Sequence, residues 1–147
     1  MTISRRALCV VYALIGLVAF VGAWGNVLGE VQRYGFWEGT VRFWQDTFVN
    51  SSSRFITVDL LFLGLTVIVL MVLEARRLGI PGVWLYVVFG LLIAISLTVP
   101  LFMIHRERRL AALEPGAPAG AMGSADVVGL AVLALTATSY AVATLVR

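Results

Sequence analysis

The sequence predicts an all-α membrane protein: a bundle of four transmembrane helices with a short interfacial helix between the first and the second. Two long apolar runs, Phe55 to Glu74 and Val83 to Ile104, flank the tight Ala75-Arg76-Arg77-Leu78-Gly79-Ile80-Pro81-Gly82 connection. Each approaches or exceeds the ~20 residues that an α-helix needs to cross a ~30 Å hydrocarbon layer. The composition agrees. With 147 residues, 61% of them hydrophobic and 13% charged, and a mean hydropathy of +0.98, the chain has too little polar surface to wrap a soluble core.

The chain reads as one membrane domain over residues 1–147. The first span, residues 7–28, follows Ser4-Arg5-Arg6. It is longer than a signal-peptide core and lacks a clean small-x-small cleavage site, so it is expected to stay as a helix. In the segment that follows, Trp37, Val41, Trp44 and Phe48 fall at i, i+4, i+7 and i+11, one face of a helix over residues 36–49. That helix either lies in the headgroup layer, where tryptophan prefers to sit, or packs over the bundle mouth as a lid. Asn50-Ser51-Ser52-Ser53 breaks it and offers side-chain oxygens to cap the second span, residues 55–75. The third span is expected at residues 82–105. A Pro- and Gly-rich flexible linker follows at 111–125, then a fourth span at 127–146. In that fourth span Thr136, Tyr140 and Thr144 form one stripe, and Ala134, Ala137 and Ala141 a second stripe of small residues suited to helix contact.

All 11 basic residues are arginine, giving a net charge of +3 and a pI near 9.6. They sit at the ends of apolar runs, which marks membrane boundaries; a nucleic-acid surface would gather them on one wet face. Four crossings put both termini on one side with Arg5, Arg6, Arg76, Arg77 and Arg147. Arg33, Arg42, Arg54, Arg106, Arg108 and Arg109 then fall on the other side. The acid-free Arg5-Arg6 pair places the termini in the cytoplasm, in a bacterial inner membrane. The single cysteine, Cys9, excludes an intrachain disulfide, and one histidine builds no zinc or haem pair, so neither a metal nor a cofactor is expected.

Asp59 stands out as a carboxylate inside the second span, where charge is costly. At 100° per residue it shares a face with Thr66 and Leu70, with Glu74 within about 60°, so that face should point into the bundle. Folding the hairpin brings Asp59 level with Ser96 to Pro100. A ligand-head-group cluster of Asp59, Thr98, His105 and Arg106, with Arg54 nearby, is therefore expected, and Asp59 and Glu74 are the candidate catalytic acids. The plainer reading pairs Asp59 with Arg54 or Arg106 at the interface, and Glu74 with the arginines that follow it. A Gly90-Ala94-Thr98 stripe is expected at the contact between the second and third helices.

Phe43-Trp44, Phe48-Val49-Asn50, Phe55-x-x-x-Asp59-Leu60, Glu74-Ala75-Arg76-Arg77-Leu78-Gly79-Ile80, Trp84, Ser96-x-x-x-Pro100-Leu101-Phe102 and Arg106-Glu107-Arg108 follow one another in a distinctive order and spacing. In these the chain resembles, over residues 7–110, a small bacterial membrane family catalogued as domain of unknown function 2834. The resemblance implies an integral membrane protein of three helices, to which the linker and fourth helix are an addition. It implies no activity.

Two function classes fit the residues. One is a non-enzymatic protein, either binding a lipophile or serving as accessory subunit of a membrane complex, with a protein partner or a second copy meeting its small-residue faces. The other is a membrane-embedded enzyme acting on an isoprenoid or other lipid with Asp59 as its acid. Asp59 and Glu74 lie ~22 Å apart along one helix, which weakens the enzyme. A channel fits least, because the helix centres are apolar.

Overall fold

The computed structural model describes residues 2–146, so Arg147 lies outside the described residues. Helix α1 (Arg5–Tyr34) opens on Ser4, whose hydroxyl accepts the Ala7 N–H at 3.1 Å. It ends at Gly35, whose φ of +81° is a left-handed value that suits glycine. The chain there turns back, and α2 (Phe36–Asp46) lies along the last turns of α1. A Cβ at Gly39 would sit 3.2 Å from Val31 Cα, so glycine permits that close approach. Trp37, Val41, Trp44 and Phe48, the four residues on the expected helical face, are all exposed. On the same helix the exposed Arg42 bonds Glu38 at 3.0 Å, and that carboxylate raises the guanidinium pKa above its ordinary value.

Helix α3 (Ser51–Leu78) is capped by the Asn50 side chain, which accepts the Ser53 N–H at 2.8 Å, and ends at Gly79. Then come α4 (Val83–Phe89), a π-helical turn at Gly90–Ala94, and α5 (Ile95–Leu113). The last helix is α6 (Ser124–Leu145), where Asp126 accepts the Gly123 N–H at 2.8 Å. The four apolar stretches Arg5–Tyr34, Ser51–Leu78, Val83–Leu113 and Ser124–Leu145 have the length and hydropathy to cross a membrane. The fold class is therefore the expected all-α membrane bundle.

The path of the third stretch departs from expectation. Ala94 is extended, with φ −169° and ψ 120°, and the chain reverses there. In one continuous helix Tyr86 and His105 would stand ~28 Å apart. Instead the Tyr86 hydroxyl lies 3.0 Å from His105 Nδ1, and the Tyr86 ring packs edge-on against Phe102 at 5.7 Å. A Cβ on Gly90 would come within 2.6 Å of Thr98 Oγ1 and 3.6 Å of Ile95 Cα. Gly90 and Thr98 thus do meet at a protein contact, but across a hairpin between α4 and α5 and not as one stripe on an unbroken helix facing α3.

The reversal sits partway along the bundle, level with Gly64 of α3. Ala94 is 13 residues, or about 20 Å, from Glu107, and α5 then runs back beside α3 in the same direction. Arg106 reaches Glu74, Arg109 bonds the Leu78 carbonyl at 2.9 Å, and a Cβ on Gly64 would meet Ile95. The exposed polar backbone of such a turn needs partners in a membrane. Trp24 supplies one, its indole N–H donating to the Ile93 carbonyl at 3.2 Å.

Both ends of the α4–α5 hairpin consequently lie at one end of the bundle, with the start of α1. Thr2–Ile3 pairs antiparallel with Gly120–Ala121, and Arg5 bonds the Ala117 carbonyl at 3.2 Å. Arg6 and Ser124 therefore lie on the same side, contrary to the expected four crossings, and α6 carries the described C-terminal residues to the α2 end beside Gly22 and Gly25. The small core gathers at the hairpin end: Met71, Ala75, Leu78, Ile80, Val83 and Phe102.

Candidate functional site

Three features compete for the site. At the hairpin end α1, α3, α5 and the linker each contribute a charge to one network. Glu107 is the centre, with 2% of its surface exposed. Its Oε2 accepts from Arg5 at 2.9 Å and its Oε1 from Arg106 at 2.6 Å. Arg106 also bonds Glu74 at 2.6 Å, Glu74 takes Arg77 at 2.6 Å, and Arg5 reaches Glu114 at 3.3 Å. Three arginines thus face three glutamates with each central carboxylate oxygen used. Such a network stitches α1, α3, α5 and the linker together. It also carries the plainer reading of Glu74, whose partners are Arg77 and Arg106.

The expected cluster around Asp59 does not assemble. Thr98 is buried, its hydroxyl 3.4 Å from the Ala94 and Ile95 carbonyls of its own chain. His105 is engaged with Tyr86, Arg106 with Glu74 and Glu107, and Arg54 with the Phe48 carbonyl at 2.9 Å. Asp59 is exposed on α3 and makes no hydrogen bond or ion pair among the described residues. Helix periodicity explains the miss. Gly64, Met71, Ala75 and Leu78, the buried residues of α3, lie roughly 100–160° around the helix from Asp59. The apolar face won the contact with the α4–α5 hairpin, and the polar stripe was left on the outside.

The third feature is a groove of about 830 Å³ between α1 and α6. The helices touch at Gly22 and Ala141, where a Cβ on the glycine would lie 3.1 Å from the alanine. Leu14, Val18, Leu133, Ala134 and Ala137 line the apolar length. At the α2 end the Asn26 amide donates to Thr144 Oγ1 at 3.0 Å and to the Gly22 carbonyl at 2.7 Å, closing the groove with polar groups. Of the two stripes read on α6, Ala134-Ala137-Ala141 faces α1; Thr136 bonds the Val132 carbonyl of its own helix at 2.9 Å, and Tyr140 stays exposed at the groove's rim.

Sequence reasoning passed over Glu107, Arg5, Trp24 and Tyr86. Glu107 sits between two arginines, a pattern that reads as a solvated interface. Its burial follows only once the reversal at Ala94 brings α5 back between α1 and α3.

The fold and its sites define a small multi-pass helical membrane protein with an internally neutralised charge network. The chain belongs to the family Protein of unknown function DUF2834, which it matches over residues 11–108. That stretch holds most of α1, α2, α3 and the hairpin, and it ends before the linker and α6. No curated protein and no solved structure matches the chain.

Proposed function

We propose that the protein is a non-enzymatic, lipophile-binding membrane protein, and that the α1–α6 groove is its binding site. The observation that carries this reading is the groove's form: about 830 Å³, apolar along its length and closed at one end by Asn26 and Thr144. That volume lies in the range of small-molecule sites, and a few converging polar groups at the end of an apolar slot suit a chain-like lipophile with a hydrogen-bonding head. The catalytic alternative has less support. Glu74 is bound by two arginines, and Asp59 makes no hydrogen bond or ion pair among the described residues.

The same reading places the hairpin end in the cytoplasm of a bacterial inner membrane. With α5 turned back, Arg5, Arg6, Arg76, Arg77, Arg106, Arg108 and Arg109 gather at that end, against Arg33, Arg42 and Arg54 at the other. The charge asymmetry is far stronger than four crossings would give.

Mass spectrometry of lipids retained by the purified protein tests the groove. One lipophile class is expected to be enriched over the bulk membrane and to fall about tenfold in Ala137→Phe, the shift that a loss of ~1.4 kcal/mol produces. Retained lipids that mirror the membrane, unchanged in the filled-groove variant, would overturn the reading.

A further inference from the structure

Asn26 and Thr144, at the α2 end of the α1–α6 groove, have no hydrogen left to give. Asn26 Nδ2 donates one hydrogen to the Gly22 carbonyl at 2.7 Å and the other to Thr144 Oγ1 at 3.0 Å, and the Thr144 hydroxyl donates its own to the Ala141 carbonyl at 2.8 Å. A backbone carbonyl can only accept, so the bond to Gly22 fixes which atom of the amide is nitrogen. The Asn26 amide oxygen is left over, an acceptor with no hydrogen bond among the described residues. Further along α6, Thr138 and Tyr140 also line the groove, and their hydroxyls can donate or accept. No residue lining the groove is charged. The charged residues of α1 and α6 closest to it are two acids, Glu30 and Asp126, each four residues, about 6 Å, beyond a lining residue.

We infer that the groove takes an uncharged lipid alcohol, whose hydroxyl donates to the Asn26 amide oxygen. That assignment rests on the groove being a lipophile site, and it names the head such a site selects. A hydroxyl brings the hydrogen that the free oxygen lacks. An ester, ether or ketone brings only acceptors and sets lone pairs against lone pairs. A carboxylate, sulfate or phosphate would lie among uncharged side chains with Glu30 a turn beyond, and an ammonium would find no carboxylate in the lining to balance it. The dimensions agree. Leu14 to Asn26 spans twelve residues, ~18 Å of α1, the length of an extended lipid chain. Asn26 stands 21 residues, ~32 Å, along α1 from Arg5, close to the thickness of a hydrocarbon layer, so a chain lying in the groove keeps its head at a membrane face.

The test uses the full chain in phosphatidylcholine vesicles with a photoreactive hexadecanol, its attachment mapped by mass spectrometry. Label is expected on α1 and α6 and should be lost in Ala137→Phe. Unlabelled hexadecanol should compete about tenfold better than hexadecyl methyl ether, which keeps the chain and loses the donor. Hexadecyl sulfate and hexadecylamine, as dilute guests in the bilayer, should compete no better than the ether. Asn26→Leu should close the gap between hexadecanol and its ether. Equal competition by all four, or a preference for hexadecanol that survives Asn26→Leu, would overturn the choice of head while the groove, still sensitive to Ala137→Phe, stands. Label away from α1 and α6, or label indifferent to Ala137→Phe, would remove the groove as a lipophile site and the alcohol with it.

Discussion

Glu74 and Asp59 are acids on one helix, and the molecule treats them oppositely. Glu74, near the hairpin end of α3, accepts from Arg77 and Arg106, while Asp59, four turns away, makes no hydrogen bond or ion pair among the described residues. The difference is made by the hairpin. Up to Gly64 α3 has α4 and α5 beside it; above that level they have already turned back, and the upper part of α3 is exposed. An acid's fate here depends on how far a neighbouring helix rises, more than on its own depth.

The most far-reaching way to break this contrast is to contest the turn itself. With Cys9→Ala as background, Arg6→Cys and Ser124→Cys are expected to react with an impermeant thiol reagent from one side of the membrane, and Ser51→Cys from the other. Labelling of Arg6→Cys and Ser124→Cys from opposite sides would restore a continuous third helix. Next in size is Glu107→Ala, which leaves Arg5 and Arg106 facing a vacancy in a nearly closed site. Breaking a buried ion pair in this way costs ~3–5 kcal/mol, read as lost thermal stability in detergent. Gly90→Ala should cost ~1–3 kcal/mol because its Cβ meets Thr98 Oγ1, and adding Thr98→Ala should recover part of that. Trp24→Phe, which orphans the Ile93 carbonyl, belongs in the same range at ~1–3 kcal/mol. The smallest effect sharpens the contrast most: Asp59→Leu should move the protein's stability by no more than about 0.5 kcal/mol, since no contact is lost. A loss comparable to that of Glu107→Ala would mean that Asp59 has an intramolecular partner after all.

Much of the architecture was legible in the residues. Apolar length located the long stretches, Asn50 marked the start of α3, and the Trp37-Val41-Trp44-Phe48 spacing gave the outward face of α2. The reversal at Ala94 was not legible, because Leu91-Leu92-Ile93-Ala94-Ile95 is as apolar as any spanning segment and hydropathy measures length without direction. Its traces were Gly90 eight residues before Thr98, and an arginine balance that four crossings left almost even. The expected Asp59 site failed for a related reason. Polarity does not decide which face of α3 turns inward; the small and apolar Gly64-Met71-Ala75 face packs against the hairpin instead.

The Arg106-Glu107-Arg108-Arg109 run has one more consequence, for how the chain lies in a bilayer. Straightened, Val83–Leu113 is 31 residues long, about 46 Å, ample to cross. Crossing would carry this charged run through the hydrocarbon, at roughly 2.5–3.5 kcal/mol for each such residue at the centre, and would strip Glu74 of its cross-helix arginine. Folding back on Ala94 keeps the run at the end of the bundle where Arg106 meets Glu74 and Glu107, and spares it that cost.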